Sequence, residues 1–143
     1  MIYNVIGMTF LVLVLIFIMF MVYNKENDVE MYSIEVQLLA VRNKLIDTKT
    51  PLYEGSTTYT MNKNSIYMCM KDKNDEYFDI ETLTYVYIHE LAHVITNSYS
   101  GTVKSPHDQK FIDNFDMLLN KADQLGIHYK IADSSYCESC CDK

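Results

Sequence analysis

A chain of 143 residues carrying 19 acidic and 12 basic side chains, for a formal charge of -7, has enough length for one domain and no surplus of cations. No nucleic-acid partner is expected, because phosphate recognition needs a basic face. Four cysteines, three of them at positions 137, 140 and 141, are too few and too clustered for a disulfide scaffold.

Residues 1–24 contain no charged side chain, and residues 5–23 read VIGMTFLVLVLIFIMFMVY. A helix of about 20 such residues spans the ~30 Å hydrocarbon core of a bilayer. A cleaved signal peptide would instead show a basic start, an apolar run of about 7–15 residues and a small-residue cleavage site. Here the basic start is missing, the run is longer, and the following NKENDVE offers no Ala-x-Ala. Residues 1–24 therefore read as a single-pass anchor, with Tyr3 and Tyr23 suited to the interfacial belts. Lys25, Arg42, Lys44 and Lys49 follow the span, so the positive-inside rule places residues 25–143 on the cytosolic or interior side.

Residues 24–30 are polar and read as a link. Met31, Ile34, Leu38, Val41 and Leu45 then recur at three- and four-residue steps, which predicts an amphipathic helix over 29–47. It would pack on the domain or form a short coiled-coil seam. Residues 47–56, with Pro51 and Gly55, read as a loop. The runs 57–62 and 65–71 flank Lys63-Asn64 as a β-hairpin, and 72–79 is a polar turn. Asp79 is placed to cap a helix that starts at Ile80, with Glu81 near its positive end, and runs to about Asn97. Leu83, Val86, Tyr87, Ile88, Leu91, Ala92, Val94 and Ile95 make this helix apolar almost all round, the composition of a central helix. After a loop over 98–104, Ser105, Pro106 and Asp108 supply a cap, an N1 proline and an N3 acid for the next helix. Phe111, Ile112, Phe115, Leu118, Leu119, Ala122 and Leu125 follow at helical spacing until Gly126 ends it. Residues 127–143 form a tail without periodicity. The order of elements is that of an α+β domain behind a membrane helix.

The second of these three helices carries His89-Glu90-Leu91-Ala92-His93. Residues four apart share a helix face, so His89 and His93 can present two nitrogens to one Zn2+ ion. Glu90 lies about 100° round the helix. It flanks the metal without ligating it and can act as general base and then general acid in hydrolysis. A bare HExxH also arises by chance, but polar residues on so apolar a helix are costly without partners, and a metal supplies them.

The third ligand follows by exclusion. Position 96 is Thr96 and position 99 is Tyr99, so the extended HExxHxxGxxH pattern is absent. No glutamate lies between Glu90 and Glu138. His107 is the first candidate, Asp108 the second, and His128 reads as a surface residue. Cys137-x-x-Cys140 with Cys141 could clip a second metal if Cys69 or His128 completed it, form a disulfide, or stay unpaired. Cys69 reads as a small buried residue in a strand.

HELAHVI, a loop, then PHDQKF and an apolar helix resemble the WLM and SprT-like zinc metallopeptidases, whose pattern is HELAH, a spacer and His-x-x-x-Phe. The wider stretch 57–136 is similar to the small, membrane-anchored WLM-like proteins of large DNA viruses. The resemblance implies a minimal zincin fold: amphipathic helix, short sheet, HExxH helix and backing helix. It implies His89, His93 and His107 as zinc ligands, Glu90 as the catalytic residue, and a protein or peptide as substrate. It also implies an edge strand that pairs with extended substrate, for which residues 65–71 are the candidate. Tyr99 and Tyr129 are candidates to stabilise an oxyanion. Two readings of another class stand beside it: a non-catalytic membrane protein stabilised by zinc, and an anchored adaptor acting through the 29–47 helix.

Overall fold

The computed structural model describes residues 2–96 and 107–132. Its elements run α1 (Ile2–Leu45), β1 (Leu52–Glu54), β2 (Tyr59–Met61), β3 (Ser65–Met68), α2 (Ile80–Ile95) and α3 (Gln109–Gln124). The chain is mixed α+β and falls into two compact units, Met1–Val36 and Gln37–Lys143.

The first unit is helical throughout. Its apolar side chains from Met8 to Tyr23 are exposed, Phe10 at 69% and Met19 at 73% among them. This helix is long and apolar enough to cross a membrane. The polar stretch at 24–30 was expected to break it, yet the helix runs on to Leu45. Neither proline nor glycine occurs from Met8 to Thr50, and Lys25, Glu26 and Glu30 are good helix formers. The anchor helix and the expected 29–47 helix are thus one element.

In the second unit the end of α1 is held by two cations. The Arg42 guanidinium donates to the Thr50 carbonyl, and Lys121 Nζ donates to the Leu45 carbonyl at 2.6 Å. Strand β1 follows, in the segment expected to be a loop. It pairs in parallel with β3, Leu52 opposite Ile66, and Gly55 N–H continues the ladder to the Met68 carbonyl at 2.9 Å.

Strand β2 pairs antiparallel with β3, Thr60 opposite Ile66. Asn62 and Lys63 take positive φ (48° and 61°), and Asn64 N–H closes the turn on the Met61 carbonyl at 3.0 Å. That is a type I′ turn over 61–64 within a three-residue hairpin loop, since Met61 pairs with Ser65. The loop takes in Asn62 as well as the expected Lys63 and Asn64.

The sheet order is β1-β3-β2, so β3 is the central strand and cannot serve as the expected free edge. Ile66 and Met68 are fully buried. On the opposite face Tyr67 stacks between Tyr53 and Tyr59, with centroids 5.2 and 5.0 Å away. Cys69, also fully buried, is disulfide-bonded rather than a simple buried thiol. The other three cysteines, and with them the expected CxxC site, lie outside the described residues.

Helix α2 starts where expected. Asp79 accepts from both the backbone N–H and the hydroxyl of Thr82, each at 2.8 Å. Leu83, Tyr87, Ile88, Leu91 and Ala92 are fully buried, so α2 is the central helix of the unit. Helix α3 starts later than expected: its cap is Asp108, which accepts from Phe111 N–H at 3.0 Å. Ser105 and Pro106 lie outside the described residues. Gly126, at φ 65°, ends α3 as its sequence position implied. Asn114 Nδ2 donates to Thr96 Oγ1 at 3.0 Å, tying α3 to the end of α2.

Asp79→Ala should cost about 0.5–2 kcal/mol, the usual worth of a helix cap, read by urea unfolding followed through the near-UV tyrosine signal. The Thr82 N–H holds the Asp79 carboxyl below its ordinary 3.8. The difference between wild type and variant should therefore be full above that value and vanish as pH falls through the folded-state value.

Candidate metal centre

Helix α2 sets His89 and His93 one turn apart, with ring centroids 5.0 Å from each other. His107 reaches the same place from the turn just before α3. Its Nε2 lies 3.1 Å from His89 Nε2, and the nitrogens of all three rings fall within 4.8 Å of one another. Among the described residues no other histidine, cysteine or carboxylate joins this cluster. His128 is exposed beyond α3. Asp108, the second candidate ligand, has its carboxylate engaged in capping α3.

Phe111 underlies the whole cluster. Its ring centroid is 4.9 Å from that of His89, 4.3 Å from that of His93 and 4.6 Å from that of His107, while only 3% of the residue is exposed. The cap at Asp108 fixes the Phe111 backbone, and the buried ring in turn supports the three imidazoles. Phe115 adds an edge contact to His89 at 5.3 Å.

Burial, reinforced by the neighbouring His93 and His107, pushes the His89 imidazole down to about 4. Burial and His107 push His93 down to about 4 as well. Both rings are therefore neutral at physiological pH, the form that offers a lone pair to a metal. The donor set fits zinc. At Zn–N distances of about 2.0–2.1 Å, two ligands of a tetrahedral ion stand roughly 3.3 Å apart. The 3.1 Å between His107 and His89 is close to that edge. Without a metal, the same approach is an N–H···N hydrogen bond, one ring donating and the other accepting.

Glu90 is 4% exposed, and one of its carboxylate oxygens, Oε2, accepts from Thr60 Oγ1 at 2.6 Å. A cavity of about 400 Å³ opens here. The β2 hairpin forms one wall with Tyr59, Thr60, Asn62 and Lys63, and the three histidines with Glu90 form the other. The edge strand beside the cluster is therefore β2, not residues 65–71. Tyr129, an expected oxyanion group, instead stacks on Tyr85 and hydrogen-bonds to Asp123. Tyr99 lies outside the described residues. Thr60 was not anticipated at all, since nothing local in the sequence couples a strand threonine to a glutamate 30 residues later.

No family model matches the chain, and no solved structure matches it. It is similar to uncharacterized protein 136R of Invertebrate iridescent virus 6, at 35% identity over 94 residues, 64% of this chain and 49% of that protein. It is also similar to uncharacterized protein 042R of Invertebrate iridescent virus 3, at 38% identity over 52 residues, 36% of this chain and 33% of that protein. The matches thus span about half or less of the length of these viral relatives. In class, the chain is an α+β protein with an apolar N-terminal helix and a three-histidine cluster, related to iridovirus proteins.

The depressed histidines set a pH dependence. Between the ordinary value of 6.5 and about 4, the unfolded chain binds protons that the folded metal-free chain refuses. The melting temperature of metal-free protein should therefore be insensitive to these groups above pH 6.5 and fall as pH drops towards 4. Thermal unfolding across that range should show a shallower fall for His89→Gln. An equal slope in wild type and variant would contradict the assignment.

Proposed function

We propose that the chain is a membrane-anchored zinc metallopeptidase with a minimal zincin-like domain, His89, His93 and His107 holding the ion and Glu90 handling the proton. The observation that carries this reading is the convergence of three imidazoles beside a buried glutamate on the wall of an open cavity. Bound there, zinc would polarise the scissile carbonyl and acidify the attacking water. The three imidazoles fill three positions and leave the side towards the cavity for water and substrate, as catalytic sites require. Glu90 takes a proton from the attacking water and passes it to the leaving amine nitrogen. An extended protein or peptide segment would lie along β2, whose outer edge has no neighbouring strand in the sheet, and main-chain pairing there gives loose sequence preference.

A non-catalytic, zinc-stabilised structural role is the competing reading. Such a site would close all four positions with protein ligands and have no use for Glu90.

The helix containing residues 5–23 would anchor the chain in a host or virion membrane. The cations after the span favour a domain on the cytosolic or interior side. The Cys69 disulfide favours the opposite, oxidising side. Protease protection in microsomes separates the two: digestion only after lysis places the domain in the lumen.

Three variants test the chemistry on the 143-residue chain in detergent micelles. Glu90→Gln should keep its zinc and lower turnover of a cleaved peptide by ~10²–10⁴, the worth of a general base. Full proteolysis by that variant would sink the assignment. His107→Ala should lose most of its zinc per mole. Asp108→Asn should keep it, because asparagine caps a helix nearly as well as aspartate. The reverse pattern would make this a two-histidine, one-carboxylate site.

A further inference from the structure

We propose that Thr60 is the positioning residue of Glu90, its hydroxyl holding the carboxyl group in one orientation towards the histidine cluster; this rests on the peptidase reading above.

The placement follows from strand register. Thr60 stands opposite Ile66 in the antiparallel pair, and opposed residues share a face of the sheet. Ile66 is fully buried, so Thr60 is on the inward face. Its neighbours Tyr59 and Met61 alternate to the outer face and are exposed. A slip of one residue would bring a tyrosine or a methionine to the carboxylate.

The distances agree with a directed contact. Thr60 Oγ1 lies 2.6 Å from Glu90 Oε2 and 3.2 Å from the Glu90 carbonyl oxygen. The shorter contact has the length of a well-formed O–H···O hydrogen bond. Thr58, the other inward threonine of this segment, is committed elsewhere, its hydroxyl accepting from Cys69 N–H at 2.9 Å.

Threonine suits the task for two reasons. Its β-branch restricts χ1, so the hydroxyl is aimed before substrate arrives. A hydroxyl can also donate to the carboxylate and accept from the carboxylic acid. The same contact therefore persists while Glu90 receives a proton from water and after it has one to give. Without Thr60 the carboxyl group loses the contact that fixes Oε2, and a misplaced catalytic group loses up to about 100-fold in rate.

The test uses the 143-residue, zinc-loaded chain in detergent micelles and a peptide that the wild type cleaves. Thr60→Val should lower kcat about 10- to 100-fold with KM and zinc per chain unchanged, since orientation rather than binding is lost. Thr60→Ser should recover most of the loss. Wild-type kcat in Thr60→Val, or equal failure of valine and serine, would overturn the proposal. Should Thr60→Val lack the native near-UV signal, Thr60→Ala takes its place with the same criteria. If wild type and Glu90→Gln prove equally inert towards peptides, the peptidase reading fails. The positioning claim is then decided by 13C NMR of the glutamate side-chain carboxyls in metal-free chain. The Glu90 resonance, identified by its absence from Glu90→Gln, should move in Thr60→Val and stay in Thr60→Ser. A resonance unmoved in Thr60→Val would overturn the claim.

Discussion

Helix α2 has to bury apolar surface on nearly every side, and polar atoms of its middle turns go inside with it. Leu83, Tyr87, Ile88, Leu91 and Ala92 are fully buried, and Glu81 is the one exposed residue of the helix. Glu90 is buried among them, and His89 and His93 are half-buried. An ionisable group placed like this is costly unless it is paired or neutral. The fold meets the two needs differently. The histidines are neutral, held down by burial and by one another. Glu90 receives a hydroxyl from the neighbouring strand. Every other part of the site can be read as answering the demands of this one helix.

What was legible in the sequence was what depends on near neighbours along the chain. The apolar run before Asn24, the Asp79 cap and the i, i+4 pair of histidines are each contained in a few residues, and each lies where expected. His107 was reached by exclusion, and it does meet His89 and His93 in space. The misses share a cause. Strand β1 has three residues between Pro51 and Gly55, too few to show a period, and it exists because β3 offers it a parallel partner. That pairing makes β3 central and moves the free edge to β2. The break expected at 24–30 rested on polarity alone, whereas helix continuity depends on the absence of breakers. The contact between Thr60 and Glu90 needs the hairpin register and the helix placement together, and neither is a local property.

The start of α3 shows how two adjacent residues came to divide the work. Both Ser105 and Asp108 are good caps, three positions apart. With Asp108 as the cap, His107 stands outside the helix, where its backbone is not bound by helical geometry. Its ring can then swing onto α2 and meet His89 at 3.1 Å. The same cap fixes the Phe111 N–H, and Phe111 supports all three imidazoles from below. Asp108 keeps one carboxylate oxygen on the Phe111 N–H and does not join the three histidines. On the proposed zinc reading, histidine rather than carboxylate as third donor agrees with the capping as well as with ligand preference.

The direction in which the cluster opens bears on catalysis against structure. Two donors come from α2 and one from the turn before α3, and Phe111 closes the side away from the sheet. Among the described residues, a fourth protein donor would have to come from the β2 hairpin, which faces the cluster across the cavity. That wall carries Tyr59, Thr60, Asn62 and Lys63, none of them a histidine, cysteine or carboxylate. Any ion held by the three imidazoles would therefore face a space of about 400 Å³ on the side where Glu90 sits. A site built only for stability gains nothing from an open side, because each vacant position forfeits a bond that could have tied two elements together. It gains still less from a buried glutamate within reach, whose burial is itself a cost. The arrangement makes sense when the open side has an occupant that comes and goes, which is the ground on which we propose hydrolysis here rather than a purely structural ion.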